Sequence, residues 1–446
     1  MPTQQQLASS MPMMAAAPSD VTEADATYRK IVLRIVPFIL VCYFFGYLDR
    51  VNVGFAKLGM VHDLSLSEAA YGLGAGLFFI GYLLLQVPAG YLVQLHGPRK
   101  CIAGSMIAWG LVSVATLLTR DEASFYALRF LLGVTEAAFF PAVIACFSLW
   151  FPSYRLSKVM SLLFLALPLG VIVGGPMSGW IMDATHGGYG LKGWQWMFLL
   201  EGLPAILLGL FATKAIIERP DGVEWLTPGE KALVLRELTQ ESRDKQTSLL
   251  PALREPTLWI LFATTFLYNL GNYGLVFWMP SMIKSIGGLT NFQIGVVTAL
   301  PYFIAACAML VNSFHSVKTG ERLWHTALPL IAGGVVLVAS VTMRDVPVLS
   351  LLCLTVGISG IQCTLAMFWS LPSRVLAGTA AASGAGLVNI GAAIAGFAGP
   401  TILGLLGQLT GSNTAGVSLL AIGLFAAAGL IFAIPRHLMA RPVVSA

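Results

Sequence analysis

The sequence predicts an all-α membrane protein of 12 transmembrane helices in two six-helix pseudo-symmetric bundles. Three observations predict it. Of 446 residues, 57% are hydrophobic and 11% are charged, whereas a soluble globular domain carries roughly 25% charge. Twelve stretches are mostly apolar over the length of about 20 residues that a helix needs to cross a bilayer. The longest polar stretch between them, 218–256, divides them six and six.

Residues 1–30 open the chain as a polar tail rich in Met, Ala and Ser, with Pro2, Pro12 and Pro18. No positively charged region opens the chain, so a disordered cytoplasmic tail is expected rather than a cleaved signal. The first bundle occupies 31–217, with segments at 31–54, 71–95, 101–118, 125–147, 159–182 and 196–217. The polar stretch 218–256 is expected as a cytoplasmic linker. The second bundle occupies 257–435, with segments at 257–283, 292–313, 323–342, 346–366, 378–406 and 413–435, and 436–446 is a short cytoplasmic tail. The loops at 90–100 and 313–322 are both short and basic, as a duplicated six-helix unit would give. Such repeats place a substrate site at their interface near mid-membrane.

Basic residues set the orientation. Of 26 Lys and Arg, 19 fall on the side of the termini and of 218–256; five fall opposite, Lys57, Arg120, Lys192, Lys284 and Arg344; Arg50 and Arg129 lie within the membrane. Both termini are therefore expected in the cytoplasm, with the chain as a multi-pass protein of the plasma (inner) membrane.

Segment 1 ends in Gly46-Tyr-Leu-Asp-Arg-Val-Asn-Val-Gly54, with Asp49 beside Arg50. A charge at that depth costs about 2.5–3.5 kcal/mol on insertion scales, so such residues usually have work. Asp49 and Asn52 are three apart and share a helix face; Arg129 and Glu136 in segment 4 are seven apart and do the same. Burial disfavours an ionised acid and a nearby arginine favours it. An acid between those influences suits proton coupling, and a guanidinium suits a carboxylate. Structural ion pairs between helices are the competing reading. The second half has no intramembrane acid or base, and instead shows Tyr268, Asn269, Asn272 and Tyr273 in segment 7 and Asn389 in segment 11. These asparagines fit either ligand hydrogen bonding or contact between helices. Pro168 and Pro176 in segment 5 permit bending.

Scattered cysteines and histidines argue against a metal centre or a nucleophile–base set, hence against an enzyme. No basic, aromatic-interleaved patch suggests nucleic acid.

Gly46-Tyr-Leu-Asp-Arg-Val-Asn-Val-Gly54, Gly81-Tyr82-Leu-Leu-Leu-Gln86-Val-Pro88-Ala-Gly90, Arg129-Phe-Leu-Leu-Gly133-Val-Thr-Glu136 and Trp194-Gln-Trp196-Met-Phe-Leu-Leu-Glu201-Gly202 together resemble the major facilitator superfamily, within it the anion:cation symporter family. The resemblance spans nearly the whole chain. It implies proton-coupled uptake of a small organic acid anion such as a tartrate-like dicarboxylate, a sugar acid or an aromatic carboxylate, by alternating access. By resemblance, Asp49 and Glu136 carry protons, Arg50 contacts the substrate carboxylate, and Arg129 is the segment 4 arginine with a structural or coupling role. Tyr47, Tyr82 and Asn389 match site-lining positions, and Asn272 is a further candidate contact. No cofactor is implied, and a monomer in the lipid bilayer is expected. An exporter or a neutral-solute porter of the same fold is the alternative, ahead of a receptor that does not transport. The resemblance departs at Gln94 and Val317, where aspartates are usual, and at the apolar run 165–169, which suits a ligand with fewer hydroxyls than a six-carbon sugar acid.

Overall fold

A computed structural model describes residues 18–242, 254–285, 287–343, 346–368, 371, 378–435 and 438. The expected tail positions 1–17 and 439–446, and Arg243, Lys245, Arg344, Arg374 and Arg436, lie outside the described residues. Among the described residues, 12 helices are long and apolar enough to cross a membrane. They fall into two sets of six, before and after the polar linker.

Span 1 is longer than its apolar core suggested. One helix runs Pro18–Asp63, so 18–30, expected as tail, is helical. Proline is tolerated in a first helical turn. Ala24, Thr27 and Tyr28 are buried, and the Tyr28 hydroxyl donates to Glu237 Oε2 at 3.0 Å. Glu237 lies on the linker helix, Pro228–Ser242, within the stretch expected only as a polar loop. Lys30 pairs with Glu230 of the same helix, Tyr154 also donates to Glu237 at 2.8 Å, and the Arg155 guanidinium lies 4.3 Å from the Tyr28 ring centre while bonding Asp25 at 2.7 Å. The linker is thus fastened beneath the first bundle.

Segments 4 and 5, expected as single helices, are each broken. Segment 4 is Glu122–Glu136 followed by Phe139–Ser148. Segment 5 is Ser153–Leu163 followed by Ala166–Ala184. The reason is the same in both. Pro141 has no N–H for the carbonyl of Ala137, and Pro168 has none for that of Phe164, so each ladder is interrupted four residues before the proline. The first break leaves Glu136 at the end of a half-helix inside the bundle.

The two halves meet at the end of the bundle opposite the linker, here the far end. Without a hydrophobic drive between helices in lipid, close approach of small residues does the packing. A Cβ on Gly295 of span 8 would sit 2.2 Å from the carbonyl oxygen of Gly175 in span 5, and one on Gly404 of span 11 would sit 2.4 Å from that of Glu68 in span 2. Polar contacts reinforce the seam. The Asp183 carboxylate, at the end of span 5, accepts from the backbone N–H groups of Asn291 and Phe292 at 3.3 and 2.8 Å and from Asn291 Nδ2 at 2.7 Å. It therefore caps the first turn of span 8, Asn291–Thr319. Lys284 Nζ donates to the carbonyl of Leu58 at 2.5 Å, and Ala69 N to Gln408 Oε1 at 3.3 Å. Lys57, assigned from sequence to a loop outside the membrane, is only 6% exposed. Span 1 carries on past it, and its ammonium pairs with Glu68 at 2.6 Å and lies 4.1 Å from the Trp278 ring centre, across the seam.

Candidate functional site

The site grows from the last third of span 1, Pro18–Asp63, where Asp49, Arg50 and Asn52 follow one another around the helix. Asp49 and Asn52 face the interior of the first bundle, 1% and 0% exposed. Arg50, one residue on, points instead toward spans 2 and 4. Its Nη2 donates to Glu136 Oε1, and the guanidinium sits 5.0 Å from the ring centre of Phe78 and 5.4 Å from that of Tyr82. A cation held over ring faces in a dry setting is stabilised by the ring quadrupoles. The phenols of Tyr273, Tyr82 and Tyr43 are within its electrostatic reach, which brings one residue of the second half to the pair. Arg50 Nε has no hydrogen-bond partner. The group is thus engaged by one carboxylate and retains donor capacity for another.

Arg129 stands apart from the pairing its spacing suggested. It shares a helix with Glu136, yet Glu136 bonds Arg50, and Arg129 Nε, Nη1 and Nη2 are all buried without a hydrogen-bond partner. Its guanidinium lies 5.3 Å from the Phe78 ring centre, on which Arg50 also rests. Two arginines therefore share one aromatic platform.

Asp49 belongs to a second cluster. Its Oδ1 accepts from Ser113 Oγ of span 3 at 2.7 Å and, more loosely, from Asn52 Nδ2 at 3.4 Å. The same Asn52 nitrogen donates to Glu201 Oε2 of span 6 at 3.0 Å, and Glu201 Oε1 accepts from Ser178 Oγ of span 5 at 2.7 Å. Glu201, 1% exposed, was quoted above only as part of a motif. The rule that singled out Asp49, an acid inside an apolar run, applies to it equally. Ser113 and Ser178 carried no such signal, because serines inside apolar helices are common.

The other candidates lie as follows. Tyr82 is buried and stacks near Phe78, ring centres 6.1 Å apart. Tyr47 is buried with its ring against Gly170 of span 5, where a Cβ would come within 2.7 Å of it. Asn272 in span 7 and Asn389 in span 11 are both half-buried. Tyr273, beside Asn272, packs edge-on to Phe79 at 4.6 Å, joining the second half to the aromatic wall that carries Arg50. Among the described residues, no group of three or more His, Cys, Asp or Glu could hold a metal ion.

Two helical halves around a buried, charged, aromatic-walled centre define a multi-pass membrane transporter. The model of the Major Facilitator Superfamily matches residues 39–400, and the chain belongs to that superfamily. It is 38% identical over 419 residues to a candidate metabolite transport protein, NicT, of Pseudomonas putida, covering 93% of this chain and 96% of that one. It is 40% identical over 394 residues to a candidate tartrate transporter of Agrobacterium vitis, covering 87% and 90%. These relatives agree with the anion:cation symporter branch. Among solved structures, an inward-facing, occupied bacterial homologue of the lysosomal transporter Spinster superposes with a TM-score of 0.75 at 14% identity, covering 93% of this chain and 99% of that one. That likeness concerns the fold. The chain is a transporter and not an enzyme.

Proposed function

We propose that the protein is a proton-coupled importer of a small organic carboxylate, acting as a monomer in the inner membrane with both termini in the cytoplasm. The observation that carries this reading is the Arg50–Glu136 pair: a buried guanidinium tied to one carboxylate through one nitrogen, with Nε still free. A guanidinium offers five N–H donors and favours carboxylates by geometry. Neutralising Glu136 with a proton loosens its hold on Arg50 and frees the fork for an anion. Loss of that proton restores the competitor and expels the anion. Proton and carboxylate then travel together because they act on the same arginine from opposite sides.

With the termini inside, the far end faces the exterior, and its seam is closed in this conformation. Rocking of the halves would open it and close the linker side. Tyr82 and Tyr273 line the ring wall beside Arg50; Tyr47, Asn272 and Asn389 are the neutral contacts that would fit the rest of the ligand. One proton per monoanion is electroneutral. A second proton moves a net charge inward, a gain of about 2.3 kcal/mol per 100 mV.

The test is uptake into proteoliposomes holding the purified protein, with an inside-alkaline gradient and labelled tartrate, sugar acids and aromatic carboxylates. Accumulation of one of these above equilibrium, abolished by a protonophore, is expected. Glu136→Gln should retain counterflow and lose accumulation. Outward transport, accumulation of neutral solutes only, or normal pH-driven accumulation by Glu136→Gln would overturn the reading.

A further inference from the structure

Asp49 and Glu201 sit in matched surroundings. Each accepts one serine hydroxyl, from Ser113 and Ser178, and each accepts one hydrogen of the same Asn52 amide. Both are 1% exposed. Among the described residues, no cation lies within ion-pair distance of either. The charged groups around the cluster are Arg129 and Glu136 of span 4, and Arg50 of span 1, which is turned away onto Glu136. The donors in the cluster are used up, yet two buried acceptors remain bare: Asp49 Oδ2 and Asn52 Oδ1. Buried polar atoms without partners are rare, and a bare carboxylate oxygen beside a bare amide oxygen has a simple remedy. One proton on the carboxylate adds the donor this cluster lacks and removes one of its two like charges.

We propose that Asp49 and Glu201 share one exchangeable proton across the Asn52 bridge, a proton site joining spans 1 and 6 that is separate from the Arg50–Glu136 pair. This rests on the proton-coupled reading above and adds Glu201 to its machinery. The ligand is a proton rather than a sodium ion because Asn52 Nδ2, a donor, occupies the place between the two carboxylates where a metal would need an acceptor. Glu201 is a positioning residue in this scheme: it meets no substrate and sets how readily Asp49 takes up and yields its proton. Two carboxylates interacting this closely titrate as a pair, in steps that belong to neither alone.

The test uses purified full-length protein in lipid and needs no substrate. Infrared difference spectra between pH values follow the protonated-carboxyl band in the wild type, D49N, E201Q and E136Q. In E201Q the band that depends on Asp49 should titrate at lower pH, by at least about one unit, or tenfold in proton affinity, since its like-charged neighbour is gone. D49N should move the Glu201 band likewise, and E136Q should move both far less. S178A keeps both acids and removes one donor to the anion, so the pair should titrate at higher pH; this variant carries the test should E201Q fail to fold. Unmoved midpoints in E201Q and in S178A would overturn the proposal. So would a saturable loss of the band on replacing choline chloride with sodium chloride, which would mark a sodium site. Because no substrate is present, a coupled pair in a protein that accumulates no carboxylate would sink the transport reading and leave the shared proton standing.

Discussion

The two halves share a fold and divide the chemistry. The first half buries Asp49, Arg129, Glu136 and Glu201 and half-buries Arg50 within its spans; the described spans of the second half hold no Asp, Glu, Lys or Arg apart from the terminal residues Lys284 and Lys318. The polar and aromatic groups of its spans are neutral: Tyr268, Asn269, Asn272, Tyr273 and Trp278 on one helix and Asn389 on another, with Tyr273 reaching Phe79 of the aromatic wall. A duplicated scaffold has kept the expensive charges in one copy. Under the proposed function, coupling and selection would be physically separable: the first half would govern whether an anion and a proton move together, and the second half which anion fits.

That separation can be broken or sharpened by substitution. The largest effect is expected at Arg50→Ala, which would remove the proposed anion contact and strand Glu136 buried without its partner. Breaking a buried pair costs about 3–5 kcal/mol, so thermal unfolding in detergent should drop together with the loss of uptake. The double change Arg50→Gln with Glu136→Gln should recover much of the stability and none of the accumulation. Next comes Gly295→Ala, whose methyl would press on the Gly175 carbonyl. Overpacking of this kind costs about 1–3 kcal/mol, here only in the conformation with the far end closed. Cysteine accessibility at the far end should rise, while binding of substrate from that side survives.

In the second half, Asn272→Ala and Asn389→Ala should each cost about 1 kcal/mol of ligand binding, read as a severalfold rise in KM with an unchanged pH profile. A changed pH profile in either would break the division of labour. The smallest effect is at the linker. Lys30, by its hydrogen bond, and the backbone N–H of Thr227 hold the Glu230 carboxyl below the usual carboxylate range. The folded state therefore gives up that proton more readily than the unfolded chain does. The stability this adds is complete above about pH 4.3, the ordinary glutamate value, and drains as pH falls through the lowered native value. Lys30→Ala should remove roughly 0.2–1 kcal/mol at neutral pH, as for other exposed pairs, and nothing at low pH. Proteolysis of the linker at the two pH values would measure it.

Much of the fold was legible because lipid imposes a length and a polarity on every span. Asp49 and Asn52 were legible as neighbours because three residues along a helix return to one face. The partner of Glu136 was not, since helical spacing offers Arg129 and only the packing of spans 1 and 4 brings Arg50. Pro141 and Pro168 are visible in the sequence, and the breaks they cause fall four residues earlier, where nothing in the hydropathy marks them. Lys57 reads as a loop residue because its burial depends on Trp278, 221 positions away, closing over it. Glu201 meets the same criterion as Asp49, an acid within an apolar run, and its bridge through Asn52 depends on the packing of spans 1 and 6.

The Asp183 clasp on the first turn of span 8 is a fastening that water can replace. Asp183 is exposed, so when the halves part, its carboxylate and the freed amides rehydrate, and each of the three hydrogen bonds costs only about 1 kcal/mol net rather than its full strength. The clasp is therefore a modest, water-exchangeable fastening. Its charge is within reach of dissolved ions, whose screening length shortens from about 10 Å at 0.1 M to about 3 Å at 1 M. Ionic strength at that face would thus weaken the clasp without touching the buried charged groups at the centre.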